Sequence, residues 1–372
     1  MRSGTYIKQM QGYQAFIPNP LPPDPLIIDW EMHELLSKAD RALGRLDGIT
    51  EILPNPDFFV TMYIRQEAVL SSQIEGTQAS LVDVLEFESK GTKVTKDVTE
   101  VVNYIKAINF GLERLDTLSL SLRLIKEIHQ ILLLDTRGSE KNPGEFRSTQ
   151  NWIGAYGCNL NEATFVPPPV NEMNKAMGDL EIFLHNEDIK LPLLIKVGLA
   201  HAQFETIHPF LDGNGRMGRL LITFLLCSSG VLRKPLLYLS YYFKKHRDEY
   251  YLHLQNVRNN DKLEEWLKFF LKGIFDVSQG ATLKAREIIQ MRETHREKLR
   301  PISTNALVLL EYLYKFPFIK VSQIEQELGI NYHTANRLVA AFEKEGILKN
   351  ISGTSRNRVF IYTDYVDLFE SI

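Results

Sequence analysis

A helix that is apolar on every side has only one stable place in a water-soluble fold, its centre. Leu220 to Cys227, read as LLITFLLC, is such a stretch, so a buried helix is expected there with other helices packed around it. The residues before it are opposite in character. His208-Pro209-Phe210-Leu211-Asp212-Gly213-Asn214-Gly215-Arg216-Met217-Gly218-Arg219 brings one imidazole, one carboxylate, one amide, three glycines and two guanidiniums into twelve positions. Upstream, Leu193, Val197, Ala200, Phe204 and Ile207 recur at steps of four and three, the stripe of a second core helix. Pro209 ends that helix near His208, because a residue before proline is pushed out of the α region. A dense polar loop therefore joins two core helices and opens the second at its N-terminus.

The first turn of a helix has free N–H groups and a partial positive charge, which suits a phosphate. Gly213, Gly215 and Gly218 let the backbone fold into a nest that an anion can approach closely. Arg216 and Arg219 are three apart, so they neighbour each other on the helix and can grip further oxygens. Asp212 is the loop's one carboxylate, a donor suited to Mg²⁺ beside phosphates. His208 stands just outside the nest, placed to take a proton from an attacking hydroxyl.

These twelve residues match HPFxDGNGRxGR at every fixed position, and the sequence resembles the Fic-domain family. The resemblance implies a mainly α fold, a Fic-type helical core with a β-hairpin flap, and transfer of AMP from ATP to a Ser, Thr or Tyr hydroxyl of a target protein or of the chain itself. It implies His208 as general base and Asp212 as the holder of Mg²⁺. Gly213, Asn214, Gly215, Arg216, Met217, Gly218 and Arg219 would bind ATP, with the arginines on its β- and γ-phosphates. Transfer of another nucleotide, or removal of AMP, stays open within the family. The resemblance also allows self-association as a homodimer.

Ile64 to Glu75 reads as a helix with Gly76 as its C′ cap, and Ser80 starts another helix with Asp83 in its first turn. Ser71-Ser72-Gln73-Ile74-Glu75-Gly76 fits [S/T]xxxE[G/N], which the resemblance identifies as an inhibitory helix, about residues 60–76, whose Glu75 pairs with Arg219. Residues 135–170 form a long irregular stretch rich in Gly, Asn and Pro, and such loops are usually functional. Within it Ala163 to Pro168 reads as an exposed hairpin edge. The resemblance makes Thr164, Phe165 and Val166 the flap that holds the target segment. It also puts a tyrosine beside the nucleotide, and among Tyr241, Tyr242, Tyr250 and Tyr251 it fits Tyr251 best. On spacing alone that cluster is packing, and His201, two turns before His208, is structural.

Residues 1–28 are polar and then proline-rich, expected as an extended surface segment. Leu35 to Leu46 marks a first amphipathic helix that stops near Gly48. Residues 99–134 hold two more helices and 261–298 one or two long ones. Pro301 is a boundary. Beyond it three helices follow, the second opened by a Ser322–Glu325 capping box and the third capped by Asn331. A hairpin from Ile347–Ile351 and Val359–Tyr362 completes what resembles a winged helix. The expected division is 1–98 for the N-terminal helical region, 99–298 for the catalytic core and 299–372 for the winged helix. DNA is a possible partner of that last unit, but it carries eight Lys/Arg and eight Asp/Glu, so only the local group Arg337, Lys349, Arg356 and Arg358 supports it.

The net charge of −3 gives no basic field for nucleic acid or membrane. Cys158 and Cys227 read as reduced thiols. No apolar run of signal-peptide or membrane-spanning length occurs. A soluble, cytoplasmic protein is the expectation.

Overall fold

A computed structural model describes residues 1–52, 56–90, 95–155, 157–352 and 358–370. The N-terminal segment is more ordered than expected. Strands β1 (Gly4–Lys8) and β2 (Gln14–Pro18) pair antiparallel, Gly4 opposite Pro18. Ala15 and Phe16 are fully buried, and the Phe16 N–H donates to the Val166 carbonyl at 3.0 Å. Arg2 anchors the hairpin to the far side of the chain, on Asp261 at 2.9 Å and Glu264 at 2.6 Å.

Helix α1 (Trp30–Ile52) does not stop at Gly48. Ile49 and Thr50 are buried, and burying an Ile side chain, worth about 1.5–3 kcal/mol, outweighs the roughly 1 kcal/mol that a helical glycine costs. Helix α2 (Pro56–Ile74) ends as expected, with Gly76 at φ +99°. Helix α3 (Leu81–Lys90) opens where Ser80 and Asp83 cap each other, Ser80 N to Asp83 Oδ2 at 2.8 Å and Asp83 N to Ser80 Oγ at 3.1 Å. Helices α4 (Lys96–Leu115) and α5 (Leu122–Leu132) follow, then the irregular stretch, then α6 (Val170–His185).

The two motif helices are α7 (Leu193–Ile207) and α8 (Asn214–Ser228). Leu220 to Leu226 are all buried in the centre, as the all-apolar run requires. Helix α8 packs on α7 and on α4, with α2 alongside. Short α9 (Ser240–Lys245) and α10 (Arg247–Asn260) lead into one unbroken helix, α11 (Leu263–Leu299), along which α1 lies.

The last unit has α12 (Thr304–Lys315), β3 (Phe318–Lys320), α13 (Val321–Leu328), α14 (Tyr332–Lys344), β4 (Lys349–Asn350), β5 (Val359–Ile361) and α15 (Thr363–Glu370). Its sheet has the order β3-β5-β4, antiparallel throughout. Asn331 caps α14 through Thr334 N at 3.0 Å. The expected Ser322–Glu325 cap is displaced by two residues. Strand β3 runs straight into α13, so Lys320 sits at the cap and its N–H donates to Gln323 Oε1 at 2.8 Å. Most of the hairpin loop, with Arg356, lies outside the described residues. A single hydrophobic core runs from Met32 to Phe369. Across it the last unit is tied to α2, by Arg65 Nη1 to the Lys315 carbonyl at 3.0 Å and Gln66 Nε2 to the Phe369 carbonyl at 2.6 Å. Among the described residues no helix is long and apolar enough to cross a membrane.

Candidate active site

The polar loop turns sharply twice. His208 is left-handed, φ +50° and ψ +59°, and Gly213 at φ +75° caps α8. A left-handed histidine costs free energy and persists only when its surroundings hold it. Here Arg147 Nε and Asn151 Nδ2 both donate to the His208 carbonyl at 3.1 Å. Asn214 closes the loop from inside. Its Oδ1 accepts from Phe210 N at 2.9 Å and its Nδ2 donates to the Phe210 carbonyl at 2.8 Å. The buried amide is thus committed to the loop, and what Asn214 presents to an anion is backbone.

Two expected ATP contacts fall away from the pocket. Met217 is fully buried in the core and its N–H donates to the Gly213 carbonyl at 3.0 Å. Gly218 faces α7, where any Cβ would run into Glu205 Oε1. Its carbonyl receives the Nδ1 proton of His201 at 2.9 Å, while His201 Nε2 accepts from Tyr250 OH at 2.9 Å. A helix turns ~100° per residue, so consecutive motif positions cannot all face one ligand.

Gly215, Arg216 and Arg219 do face the pocket side. Arg219 is nearly fully buried and triply held. Its Nε donates to Ser71 Oγ at 2.8 Å, and its Nη2 donates to the Ser71 carbonyl at 2.9 Å and to Glu75 Oε1 at 2.8 Å. A Cβ at Gly215 would strike that same Glu75 oxygen. The Glu75 carboxylate therefore lies against the first turn of α8, where positive charge collects. Burial opposes its charge, but Arg219, by charge and hydrogen bond, with Arg216 behind it, holds the carboxyl below its ordinary value. Arg216 is only 1% exposed and is under-satisfied. Glu100 Oε2 stands 3.6 Å from its Nη1 and Asp212 Oδ1 3.7 Å from its Nη2, neither within hydrogen-bonding distance, and Nε and Nη1 have no hydrogen-bond partner. A buried guanidinium with unmade bonds is costly unless an anion completes it.

His208 is neutral and has a buried Nδ1 with no partner. Burial, then the charges of Arg258 and Arg147, push its pKa down to about 3. Asp212 keeps a third of its side chain in solvent, its Oδ1 accepting from Gly213 N at 2.6 Å. Among the described residues no group of three or more His, Cys, Asp or Glu could hold a metal ion, so any ion here would lean on this one carboxylate and on ligand oxygens. Tyr251, on α10, is 42% exposed, and its hydroxyl is pushed up to about 12 by burial and by the Glu75 charge. Its hydroxyl thus lies within reach of the Glu75 and Arg219 charges.

The flap is not an exposed edge throughout. Ile153 and Phe165 form a single antiparallel bridge. Thr164 is exposed, but Phe165 and Val166 are buried beneath β2. The Arg258 guanidinium lies 3.9 Å from the centre of the Phe165 ring.

Several supporting residues carry no signal in the sequence. His129 stacks on Phe210 at 3.6 Å, its Nδ1 accepts from Gly144 N at 2.9 Å and its Nε2–H donates to the Asp212 carbonyl at 2.9 Å. Glu100, Arg147, Asn151, Glu205 and Arg258 likewise sit far from the motif in the chain and are ordinary in isolation.

Residues 33–113 match the Fic/DOC family N-terminal domain and residues 119–226 the Fic/DOC family domain. The chain carries both Fic/DOC domains. It is similar to the protein adenylyltransferase Fic of Aedes aegypti, 32% identical over 151 residues, which cover 40% of this chain and 27% of that protein. The Drosophila grimshawi protein of the same name is 31% identical over 166 residues, 44% of this chain and 30% of its own. The chain thus spans under a third of the length of these relatives. A Fic family protein from Desulfovibrio desulfuricans G20 shares the fold, with a TM-score of 0.60 at 21% identity, covering 91% of this chain and 98% of that one.

Proposed function

We propose that this Fic protein is an adenylyltransferase that moves AMP from ATP to a Ser, Thr or Tyr hydroxyl of a target protein, and that Glu75 holds it in check. One observation carries the reading. A carboxylate, Glu75, rests on the α8 N-terminus and on Arg219, beside a buried Arg216 with unmade hydrogen bonds. It stands where a phosphate would, in a pocket built for anions.

In the reaction His208, neutral at physiological pH, accepts the proton of the target hydroxyl. The freed oxygen bonds to the α-phosphorus and the bond from that phosphorus to the pyrophosphate oxygen breaks. The Gly213–Gly215 backbone, Arg216 and Arg219 bear the charge passing to pyrophosphate. Asp212, with a third of its side chain in solvent, would hold Mg²⁺, which when bound neutralises phosphate charge and orients the leaving group. Glu75 blocks this by occupying Arg219 and adding negative charge beside the γ-phosphate. Thr164 and the backbone around Phe165 and Val166 present the target segment. Tyr251 flanks the nucleotide.

Residues 304–370 are read as a winged helix. Protein contact suits it better than DNA, because basic and acidic residues balance and Arg358 is engaged by Asn336. The test is incubation of Glu75→Gly protein with ATP, Mg²⁺ and lysate, followed by peptide mass spectrometry. An added AMP on a hydroxyl side chain is expected, and its absence from every peptide, the chain's own included, refutes the reading.

A further inference from the structure

Helix α2 has a second working face. Ser71 and Glu75 look toward Arg219, and on the adjoining face Tyr63, Gln66, Glu67 and Leu70, at helical spacing, line a cavity of about 180 Å³. Helix α11 closes it with Val277, Ala281 and Lys284, and Tyr238 and Tyr241 form a further wall. The lining is mostly apolar, yet three polar atoms in it are buried and have no hydrogen-bond partner among the described residues: Glu67 Oε2, Tyr238 OH and Lys284 Nζ. Glu67 is 2% exposed and Tyr238 4%. Each such atom costs roughly 1–3 kcal/mol if left unpaired, and three meeting in one space point to something that joins them.

The chemistry narrows what that is. Lys284 brings a cation that lies over the face of Phe369, with Nζ 4.9 Å from the ring centre. Tyr238 brings a hydroxyl proton. Glu67 Oε1 already accepts from Tyr104 OH at 3.0 Å and from Ser240 Oγ, so Oε2 carries the proton when the carboxyl is neutral, and burial pushes its pKa up to about 7. All three are then donors, and Asp276, the one other charge in the lining, is exposed to solvent. Three donors around an apolar space fit one acceptor group with an apolar body.

We propose that this cavity binds a small carboxylic acid with an aromatic or aliphatic body, its carboxylate held by Lys284, Tyr238 and Glu67, and that its occupancy steadies α2 where Glu75 reaches Arg219. The cavity exists in the clamped arrangement, so a ligand that fits it favours that arrangement over any in which α2 shifts. Coupling is reciprocal, and ATP and the acid must weaken each other's binding by the same factor. The regulatory half rests on the function proposed above; the binding half does not.

Calorimetric titration of the full chain with phenylacetate, 3-phenylpropionate, 4-phenylbutyrate and octanoate tests the site, with 4-phenylbutanol as the neutral control. At least one acid is expected to bind wild type and Glu75→Gly alike, with Lys284→Met at least tenfold weaker on the cited scale for a charged hydrogen bond and the alcohol weaker still. Tyr238→Phe replaces Lys284→Met if the latter melts below the assay temperature. A non-hydrolysable ATP analogue should then bind wild type about fivefold more weakly in the presence of the acid and Glu75→Gly unchanged. Binding by none of the acids, equal binding of alcohol and acid, or undiminished binding by both variants overturns the proposal. So does equal loss of ATP affinity in Glu75→Gly, which would mean direct competition. Acid binding without any AMP transfer supports the site and counts against the proposed reaction alone.

Discussion

Replacing Glu75 by glycine tests the inhibitory reading most directly, and the structure sets its size. The carboxylate makes one charge-assisted hydrogen bond, 2.8 Å to Arg219 Nη2, of a kind worth about 1.5–3 kcal/mol net. At 1.36 kcal/mol per factor of ten this amounts to roughly 10- to 150-fold. The Glu75 side chain is still 29% exposed, and solvent weakens the pair, so the lower part of that range applies. The loss should appear chiefly as function, with a modest loss of stability. Helix α2 ends at Ile74, so the glycine falls outside it, and Arg219 keeps both bonds to Ser71. Glu75→Gly is therefore expected to raise AMP transfer by about ten- to thirtyfold, with the melting temperature lowered by roughly 2–4 °C per kcal/mol lost. Glu75→Gln, which keeps the shape without the charge, should give an intermediate gain, and adding Arg219→Ala should abolish it. Transfer from labelled ATP, followed in the chain itself and in lysate proteins, measures all four. Equal rates for wild type and Glu75→Gly refute the reasoning, and so does a gain that survives Arg219→Ala.

Other outcomes follow from the same geometry. His208→Ala should abolish transfer and leave affinity for an ATP analogue within about twofold, since the imidazole lies outside the nest; a variant retaining half the rate removes His208 from the chemistry. Asp212→Asn, or chelation of wild type with EDTA, should lower transfer by at least tenfold on the scale of lost phosphate neutralisation, and transfer unaffected by EDTA would rule out the metal. Stability should also depend on pH. Burial lowers His201 and His208 to about 3 and His129 to about 4, from 6.5, so below pH 6.5 the unfolded chain binds up to three more protons there. Burial raises Glu67 and Glu205 to about 7 from 4.5, so between pH 4.5 and 7 the folded chain binds up to two more. Where the windows overlap, three against two leaves a shallow fall with acid; below pH 4.5 the two glutamates drop out, carboxylates with lowered pKa such as Glu75 join the histidines, and the fall steepens. Thermal melts at pH 4, 5.5 and 7 check this, and a higher melting temperature at pH 4 than at pH 5.5 would contradict it.

The parts of this fold that could be read from the sequence are those where one short stretch carries its own physics. The all-apolar run 220–227 demanded a central helix, Pro209 and Gly213 broke the chain on either side of the polar loop, and Gly76 and Asn331 marked helix ends through backbone demands of their own. The N-terminal hairpin was hidden because its strands are five residues each and their buried positions are Gly4, Ala15, Phe16 and Pro18, which show no period-two patterning. Met217 and Gly218 turn away from Gly215, Arg216 and Arg219 for a related reason. A linear motif lists residues side by side, but the helix turns them apart, so Met217 enters the core and Gly218 meets Glu205.

The residues that hold the site in shape were beyond reach for a different cause. Arg147 grips the His208 carbonyl from the irregular loop, His129 fixes the Asp212 carbonyl from α5, and Glu100 faces Arg216 from α4. Each is one charged or aromatic residue on an ordinary segment, and its role exists only once distant elements meet. Glu75 stands between these cases. Its position at a helix end is local and legible, but its effect depends on landing against the first turn of α8, in a pocket where Arg216 and Arg219 already gather positive charge. That charge is what a triphosphate needs, and it draws the carboxylate equally well. On the function proposed above, the features that suit the pocket to an anion would therefore also let the chain inhibit it from within. For a site of this construction, a higher affinity for the phosphate and a tighter hold on the blocking carboxylate arise from the same groups, and only a change to Glu75 itself separates them.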